Sequence, residues 1–267
     1  MRISTEIESI SKHVGEHKAV ELCAKAGFDG WDFTMFDMCR YLWPQDIIVD
    51  SKHPLRTNEY LKFVRELKNI GLDNGIVCNQ SHAPFPVDVP GVRSYLKRAI
   101  ECTAEAGGEI CIIHPDNDKN AEQNAEMYAE LLPFAKSCGV KIATENMFNW
   151  DIEKNESSFA ACATGEDFKK HIDVINDDFF VACLDIGHAT LVCENVPDFI
   201  KALGNKRLQA LHVHDVDGVV DSHTLPFFGV TEWDKVMKAL ADIDYKGDLT
   251  FEADSFFKGK PLEIYPD

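Results

Sequence analysis

The stretch FVACLDIG, residues 180–187, is a short apolar run that ends close to a carboxylate, Asp185. Its length and residue types are typical of a β-strand. Seven similar runs occur along the chain, at residues 2–5, 30–34, 75–80, 109–114, 141–146, 208–215 and 248–254. The sequence therefore predicts eight β-strands.

Amphipathic segments occupy the intervals between these runs. Helices are expected at residues 17–27, 57–71, 91–107, 120–138, 165–176, 196–204 and 231–243. Each is long enough to cross over between parallel strands. Because no linker or change of composition interrupts the alternation, we expect one α/β domain over residues 1–267, a (β/α)8 TIM barrel. Residues 255–267 are too few for a full helix, so the eighth helix is expected to be short or missing.

The composition limits the classes of partner that we expect the protein to bind. The chain of 267 residues has 27 Lys and Arg against 45 Asp and Glu, a formal net charge of -18. This charge disfavours phosphate-backbone contacts, so no nucleic-acid partner is expected. No apolar run approaches the ~18 residues of a membrane span, and residues 1–20 lack the pattern of an export signal. The nine cysteines have no C-x-x-C spacing, which argues against a disulfide framework. We expect a soluble, cytoplasmic protein.

Carboxylates and imidazoles follow the ends of successive apolar runs. They are His82, His114, Glu145, Asp185, His188, His212, Asp221, His223 and Glu252. Charged groups at the ends of hydrophobic strands are costly unless something binds them. The carboxyl ends of the strands of a TIM barrel converge on one mouth, so these side chains are expected to lie together. A divalent cation would be a suitable partner.

Alternation along the strands selects four of these residues as ligands. In ALHVHD (210–215), Leu211 and Val213 would face the helices and leave His212 inward. One imidazole and three carboxylates suit manganese, magnesium, cobalt or zinc, and the expected ligands are Glu145, Asp185, His212 and Glu252. This oxygen-rich set is typical of a catalytic rather than a structural ion. His214 is expected to support the site without belonging to it. The remaining histidines, His13, His17, His53 and His171, are expected to be solvated.

Several motifs together resemble the xylose isomerase-like barrel superfamily, in particular the sugar phosphate isomerases/epimerases, over essentially the whole chain. They are AGFDGWDF (26–33), ATEN (143–146), LDIGH (184–188), HVHD (212–215) and LTFEAD (249–254). Ketose 3-epimerases of this superfamily bind one divalent ion through Glu, Asp, His and Glu. The resemblance places these ligands on the same four residues, with Mn2+ expected first and Zn2+, Co2+ or Mg2+ as alternatives.

The resemblance also implies a reaction on a ketose or related polyol. The ion would chelate a carbonyl and a neighbouring hydroxyl oxygen and stabilise a cis-enediolate, while Glu145 and Glu252 exchange protons with the carbon. The other residues of the mouth would bind the substrate or hold a second ion: His188, His82, His114, Asp221 and His223. Because the mouth segments contain few Lys or Arg, a neutral sugar is favoured over a sugar phosphate.

Other functions stay open. Sugar epimerases carry an Arg shortly after the His ligand, whereas this chain has Asp215, Asp217 and Gly218, so the substrate does not carry over. Endonuclease IV binds three zinc ions through nine ligands that all match this chain, although the net charge, short loops and lack of a basic stretch disfavour a nuclease. An inosose-type dehydratase or lyase on the same metal site and a non-catalytic sugar-binding subunit are further alternatives. A short chain end would leave one flank uncovered, so a homo-oligomer is possible.

Overall fold

Eight parallel strands form the central sheet of the computed structural model, which describes residues 1–43, 45–192, 195–256 and 258. The strands are β1 (Ile3–Glu6), β2 (Gly30–Thr34), β3 (Val77–His82), β4 (Ile110–Ile112), β5 (Lys141–Glu145), β6 (Phe180–Asp185), β7 (Leu208–His212) and β8 (Leu249–Phe251). Neighbours in the sheet follow the chain from β1 to β7, and β8 pairs with β1. Val213 closes the ring, because its N–H donates to the Thr250 carbonyl (2.8 Å) and its carbonyl accepts from the Glu252 N–H (3.1 Å). The predicted TIM barrel is confirmed.

Seven helices surround the sheet, each following the strand of the same number. They are α1 (Glu16–Ala26), α2 (Tyr60–Asp73), α3 (Leu96–Ala106), α4 (Ala121–Cys138), α5 (Gly165–Ile175), α6 (Val196–Arg207) and α7 (Trp233–Asp242). All seven predicted helices are therefore present, with ends that differ by a few residues. The predicted short or missing eighth helix falls on residues 255–267, and of these 257 and 259–267 lie outside the described residues.

The connections at the carboxyl ends of the strands are longer than expected. Segments 35–59, 146–164 and 213–232 link β2, β5 and β7 to their helices. They hold two small hairpins that the sequence did not predict, Tyr41–Leu42 with Ile47–Ile48 and Phe148–Asp151 with Glu156–Phe159. Short helices were also missed, at Glu8–Val14 and Ile186–Leu191, and the helix predicted at 91–107 is divided into Pro90–Arg93 and Leu96–Ala106. The expectation of short loops was wrong, since the long connections build a wall around the mouth.

Apolar side chains form two layers. The outer layer lies between the strands and the helices and includes Trp31, Phe168, Phe180 and Phe199. The inner layer fills the barrel and consists of Ile112, Ala143, Val181, Cys183 and Ala210. Burying one large apolar side chain contributes about 1.5–3 kcal/mol, so both layers stabilise the barrel. The inner layer also forms the floor beneath the polar mouth.

A β-bulge in β3 turns His82 toward the mouth. Trp31 pairs with Cys78 and Asp32 pairs with Gln80, so one residue of β3 is left between the two pairs. Cys78 packs in the outer layer, and regular alternation would place every second residue after it outward as well. The extra residue reverses the alternation. Gln80 and His82 therefore face the interior.

A second bulge, in β7, turns His212 into the barrel. Ala182 pairs with Leu208 and Cys183 with Ala210. Leu208 lies in the outer layer and Ala210 in the inner one. The shift of register at this point sets the later residues of β7 so that His212 projects into the barrel.

One expectation about the remaining histidines was wrong. His171 is only 2% exposed. It lies between α4 and α5, where its Nδ1 is 2.9 Å from the Asp167 carbonyl oxygen. His53 is half-buried, with Nε2 2.7 Å from a carboxylate oxygen of Glu16. Amphipathic surroundings in the sequence therefore did not mean solvation for these two rings.

Two further observations concern the described part of the chain. None of its helices is long and apolar enough to cross a membrane. Its cysteines are all free thiols, and all but Cys138 are buried. Burial raises the pKa of Cys78 and Cys162 well above the ordinary value, so these thiols are held protonated and unreactive.

Candidate metal centre

The four predicted metal ligands meet at the mouth of the barrel and are called the central cluster: Glu145, Asp185, His212 and Glu252. Their ligand atoms all lie within 4.8 Å of one another. Nδ1 of His212 is 3.1 Å from Oε1 of Glu145 and 3.2 Å from Oε2 of Glu252. Convergence follows from the fold, because the four residues end or follow the adjacent strands β5 to β8.

The two glutamates of the central cluster have opposite pKa shifts. Burial raises the pKa of Glu145, but His212, His114 and His82 outweigh it and hold the pKa well below the ordinary value. Burial also raises the pKa of Glu252, and there His212 and His223 offset it only in part. Glu145 is thus the more acidic carboxyl of the pair, and Glu252 the one that more readily keeps a proton.

A divalent cation fits this arrangement. Three carboxylates in one buried pocket repel one another unless a positive charge lies between them. Glu145 is 1% exposed, and its Oε2 atom has no hydrogen-bond partner among the described residues. Oxygen-rich sites with one imidazole suit Mn2+, Zn2+, Co2+ or Mg2+. The chemistry of the donor set and the unpartnered oxygen therefore both point to a cation.

His82 and His114 lie on one side of the central cluster. Their Nε2 atoms are 2.9 Å apart. Nε2 of His114 is 3.3 Å and that of His82 is 3.6 Å from Oε2 of Glu145. Burial lowers the pKa of His114 to about 4, so this ring is neutral at neutral pH. Burial also disfavours a charge on His82, but Glu145 and Glu252 outweigh it and raise its pKa. His114 can therefore offer a lone pair beside Glu145, and His82 a hydrogen-bond donor.

A separate group, the His188 cluster, lies on the other side of the mouth and consists of His188, His214, Asp221 and His223. Their ligand atoms also lie within 4.8 Å of one another. Oδ2 of Asp221 is 2.9 Å from Nε2 of His223 and 3.4 Å from Nε2 of His188. Burial opposes a charge on His188, but Asp185 and Asp221 outweigh it and raise its pKa to about 10. Without a ligand, His188 therefore carries a proton at a position where a cation or a substrate hydroxyl could bind.

Three of the predicted substrate-binding histidines are oriented in the same way. Nδ1 of His82, His188 and His223 faces a main-chain carbonyl oxygen at 3.0, 2.9 and 2.7 Å. The carbonyls belong to Ala83, Asn146 and Glu252. Such a contact places the proton of a neutral ring on Nδ1 and leaves Nε2 to accept. The backbone therefore presents three Nε2 atoms to the mouth.

His214 is in direct contact with residues of the site, whereas we expected it to support the site from outside. It is fully buried, and its Nε2 faces the Asp185 carboxylate. Its ring stacks on His223, with centroids 3.9 Å apart and planes 7° apart. His214 therefore connects the central cluster to the His188 cluster.

Other buried polar residues at the mouth were missed. The Asn146 side chain donates to the Asp185 carbonyl (2.9 Å) and accepts from its N–H (2.8 Å), which joins the ends of β5 and β6. Glu6 projects inward from β1, and burial raises its pKa to about 8. Asp32 is also buried inside the barrel. The alternation of β1 and β2 was the signal in the sequence that could have found Glu6 and Asp32.

Asp215, three residues after His212, has a structural role. It is fully buried and accepts hydrogen bonds from the Trp233 indole (2.8 Å) and from the N–H groups of Phe227 (3.0 Å) and Thr231 (3.1 Å). The carboxylate thus anchors the connection between β7 and α7 and does not project into the mouth.

Aromatic rings line both sides of the mouth. Phe36 meets His82 edge to face, with centroids 4.8 Å apart, and Phe85 lies 4.9 Å from His114. Phe148 of the second hairpin lies 5.1 Å from His188. These rings can form apolar walls for the C–H faces of a small polar molecule.

The chain belongs to the xylose isomerase-like TIM barrel family, whose model matches residues 20–263. Among sequences, it is 25% identical over 254 residues to the uncharacterised protein MJ1311 of Methanocaldococcus jannaschii, covering 88% of this chain and 78% of that one. It is 29% identical over 168 residues to the uncharacterised protein y4fM of Sinorhizobium fredii, covering 59% of this chain. That second match spans about half of its relative's length, 51%.

Solved structures share the fold over nearly the whole chain. The IolI protein with a bound zinc atom has a TM-score of 0.74 at 18% identity, covering 100% of this chain and 94% of that one. A D-psicose 3-epimerase in the presence of D-fructose has a TM-score of 0.72 at 15% identity, with the same coverage. A D-tagatose 3-epimerase-like protein has a TM-score of 0.71 at 22% identity, covering 99% and 97%.

Proposed function

We propose that this protein is a divalent-metal-dependent isomerase or epimerase that acts on a neutral ketose or a related polyol. The observation that carries the proposal is the pair Glu145 and Glu252. Both carboxylates approach the same nitrogen of His212, at 3.1 and 3.2 Å, and their pKa values are shifted in opposite directions. Two carboxyl groups held apart in pKa at one site are suited to paired acid/base work.

The ion would be held by Glu145, Asp185, His212 and Glu252. Mn2+ is the first candidate for this oxygen-rich set, and Zn2+, Co2+ and Mg2+ are the others. A bound divalent ion would draw electron density from neighbouring carbonyl and hydroxyl oxygens of a ketose and so acidify the C–H bond of the carbinol carbon.

The two glutamates would move the proton. In the epimerase reaction, Glu145 would accept the proton of the carbinol carbon. The electron pair of the broken C–H bond would form the C=C bond of a cis-enediolate, while the π pair of the carbonyl moves onto its oxygen. Glu252 then returns a proton to the opposite face of the same carbon, and the carbonyl is restored. In the metal-free protein Glu145 is held ionised, as a proton acceptor must be, and Glu252 more readily keeps the proton that the acid donates. The reverse reaction would exchange the two roles.

The remaining residues would bind and orient the substrate. We assign hydroxyl contacts to His188, His82, His114, Asp221 and His223, because they are clustered around the two glutamates. The aromatic walls would contact the C–H faces of the sugar. The segment that links β7 to α7, residues 213–232, contains no Lys or Arg, which supports a neutral sugar over a sugar phosphate. Structural likeness to a D-allulose 3-epimerase bound to D-allulose agrees with this choice.

A second candidate function rests on the number of possible metal ligands at the mouth. The nine residues that match endonuclease IV are gathered at one mouth, and the His188 cluster could hold a second ion. A multi-zinc nuclease acting at abasic sites would use such a set, but the net charge of -18 argues against a phosphate backbone as partner.

A dehydratase or lyase would use the same ion and glutamates but expel a β-hydroxyl. A sugar-binding subunit would bind without turnover.

The test combines metal analysis with isotope exchange. The protein is purified without added metal or chelator, and its metal content per chain is measured. The loaded protein is then incubated with neutral ketoses in deuterated water, and label at the carbinol carbon is followed by NMR. About one ion per chain and incorporation of deuterium would support the proposal. Two or three zinc ions with cleavage of an abasic duplex would favour the nuclease, loss of water the dehydratase, and sugar binding without exchange the subunit.

A further inference from the structure

We propose that Asp32 is a positioning residue that fixes the ring of His212 for metal binding, an inference that rests on the metal site of the proposed function. Asp32 projects inward from β2 and is 1% exposed. Its Oδ2 atom lies 3.5 Å from Nε2 of His212. The other nitrogen of the ring, Nδ1, faces Glu145 and Glu252. The imidazole of His212 thus lies between the carboxylates of Glu145 and Glu252 on one side and that of Asp32 on the other.

Both facing groups contain a buried atom that lacks a hydrogen bond. Within the described residues, Oδ1 of Asp32 and Nε2 of His212 are both without a partner. Leaving buried polar atoms unpaired is unfavourable. A ring that gives its Nδ1 lone pair to a cation carries its proton on Nε2. That N–H points toward Asp32, so a cation bound to Nδ1 would leave the Nε2 proton to this carboxylate.

Gln80 holds the carboxylate in place. Its Nε2 donates to Oδ2 of Asp32 (2.9 Å) and approaches the carbonyl oxygen of Leu211 at 3.4 Å. Leu211 directly precedes His212, so one amide links the carboxylate to the strand that carries the ring. The bulge in β3 makes this link, because it sets Gln80 opposite Asp32 in the sheet. A side chain that served only to fill the barrel would not need such a polar clamp.

The role assigned to Asp32 is therefore to orient the ring and raise its basicity. A carboxylate behind a metal-binding histidine fixes which nitrogen carries the proton, and its loss typically weakens metal binding about 10- to 100-fold. Asp32 would not contact the ion or the substrate. Its removal should therefore appear in metal binding itself, whatever reaction the loaded protein catalyses.

The experiment measures Mn2+ and Zn2+ dissociation constants by competition with a fluorescent chelator. Asp32→Asn keeps the volume but removes the charge, and we expect its affinity to fall about 10- to 100-fold. The matched control is Asn79→Ala, since Asn79 is also inside the barrel but bonds to Thr250 (3.0 Å) instead of His212. The control should stay within about twofold of the unmodified protein, because it leaves the ring and its carboxylate intact.

A second measurement distinguishes a loss of orientation of the His212 ring from a general loss of folded structure. In the zinc-loaded, 15N-labelled protein, the Nε2 proton of His212 should resonate downfield as a donor to a carboxylate and shift upfield in Asp32→Asn. If Asp32→Asn does not fold, Gln80→Leu replaces it, with a smaller loss of affinity expected. An affinity within twofold of the unmodified protein in a folded variant would overturn the inference and leave the proposed function standing. Failure of the unmodified protein to bind either ion would overturn both.

Discussion

Nε2 of His214 lies 2.9 Å from a carboxylate oxygen of Asp185, and the ring occupies the space next to Gly187. A Cβ atom at Gly187 would lie 2.0 Å from Cε1 of His214, far inside van der Waals contact. The glycine is therefore required by the histidine. Gly187 of the LDIGH motif thus leaves the space in which the imidazole of His214 reaches the aspartate.

Gly187→Ala should displace His214 and destabilise the protein. The ring must move because the new methyl group has no space, and it then loses its contacts with Asp185 and His223. We expect the free energy of unfolding to fall by about 1–3 kcal/mol, measured by urea denaturation. His214→Ala supplies the control in a double-mutant cycle. If adding Gly187→Ala to His214→Ala costs as much as it does alone, the clash is not the cause.

Glu252→Gln should abolish exchange of the substrate carbon with solvent while retaining weak metal binding. The amide can still offer an oxygen to the ion, but it cannot accept or return a proton. We expect the deuterium-exchange rate of the loaded protein to fall at least about a hundredfold. Glu153→Gln, an exposed change at the tip of the second hairpin, should leave the rate unaltered. Exchange at an undiminished rate in Glu252→Gln would exclude this residue as an acid or base.

Metal binding should release protons and strengthen as pH rises. Burial disfavours a charge on His212, but the nearby Glu252 and Glu145 outweigh it and hold its pKa well above the ordinary value in the metal-free protein. An incoming cation must displace that proton. Calorimetric titrations in two buffers of different protonation enthalpy should give about one proton or more per ion at neutral pH. Identical binding heats in the two buffers would contradict this prediction.

The metal-free protein should lose stability between about pH 6.5 and pH 10. The pKa of His188 is raised from 6.5 to about 10, because Asp185 and Asp221 outweigh the effect of burial. A folded-state pKa above the unfolded one stabilises the protein fully below the lower value, and the gain disappears as pH rises through the higher one. One such group contributes a slope of at most about 1.4 kcal/mol per pH unit.

Asp221→Asn provides the comparison for that pH dependence, since it removes one of the charges that raise the pKa of His188. Urea denaturation of chelator-treated protein at several pH values should show a shallower decline in this variant. A decline equally steep in both proteins would mean that another group is responsible. His212, whose pKa is also held well above its ordinary value, would be the first to consider.

The sequence predicted the barrel well because its strands are short apolar runs with polar ends. In β2 the predicted range, 30–34, coincides with the observed strand. The convergence of Glu145 and Asp185 could be predicted too, since consecutive parallel strands end at one mouth. The part each residue plays in catalysis or binding stays a prediction, as do the ion, the substrate and self-association.

Features that depend on contacts across the barrel could not be predicted. The contact of Asp32 with His212 joins β2 to β7, and nothing local in either segment indicates the other. His214 was assigned a supporting position because one imidazole per strand end seemed sufficient, yet the space beside Gly187 brings it against Asp185. The hairpin at Phe148–Phe159 lacked the tight-turn residues that commonly indicate hairpins.

Because of the two bulges, the site depends on the alternation of inward and outward residues along the strands as well as on which side chains are present. If the same nine side chains were transplanted onto a barrel with uninterrupted third and seventh strands, His82 and His212 would point at the surrounding helices. Anyone who rebuilds this mouth on another scaffold would need to carry over one extra residue in each of those strands. A single deletion at Asn79 or Gln209 would dismantle it without touching a ligand.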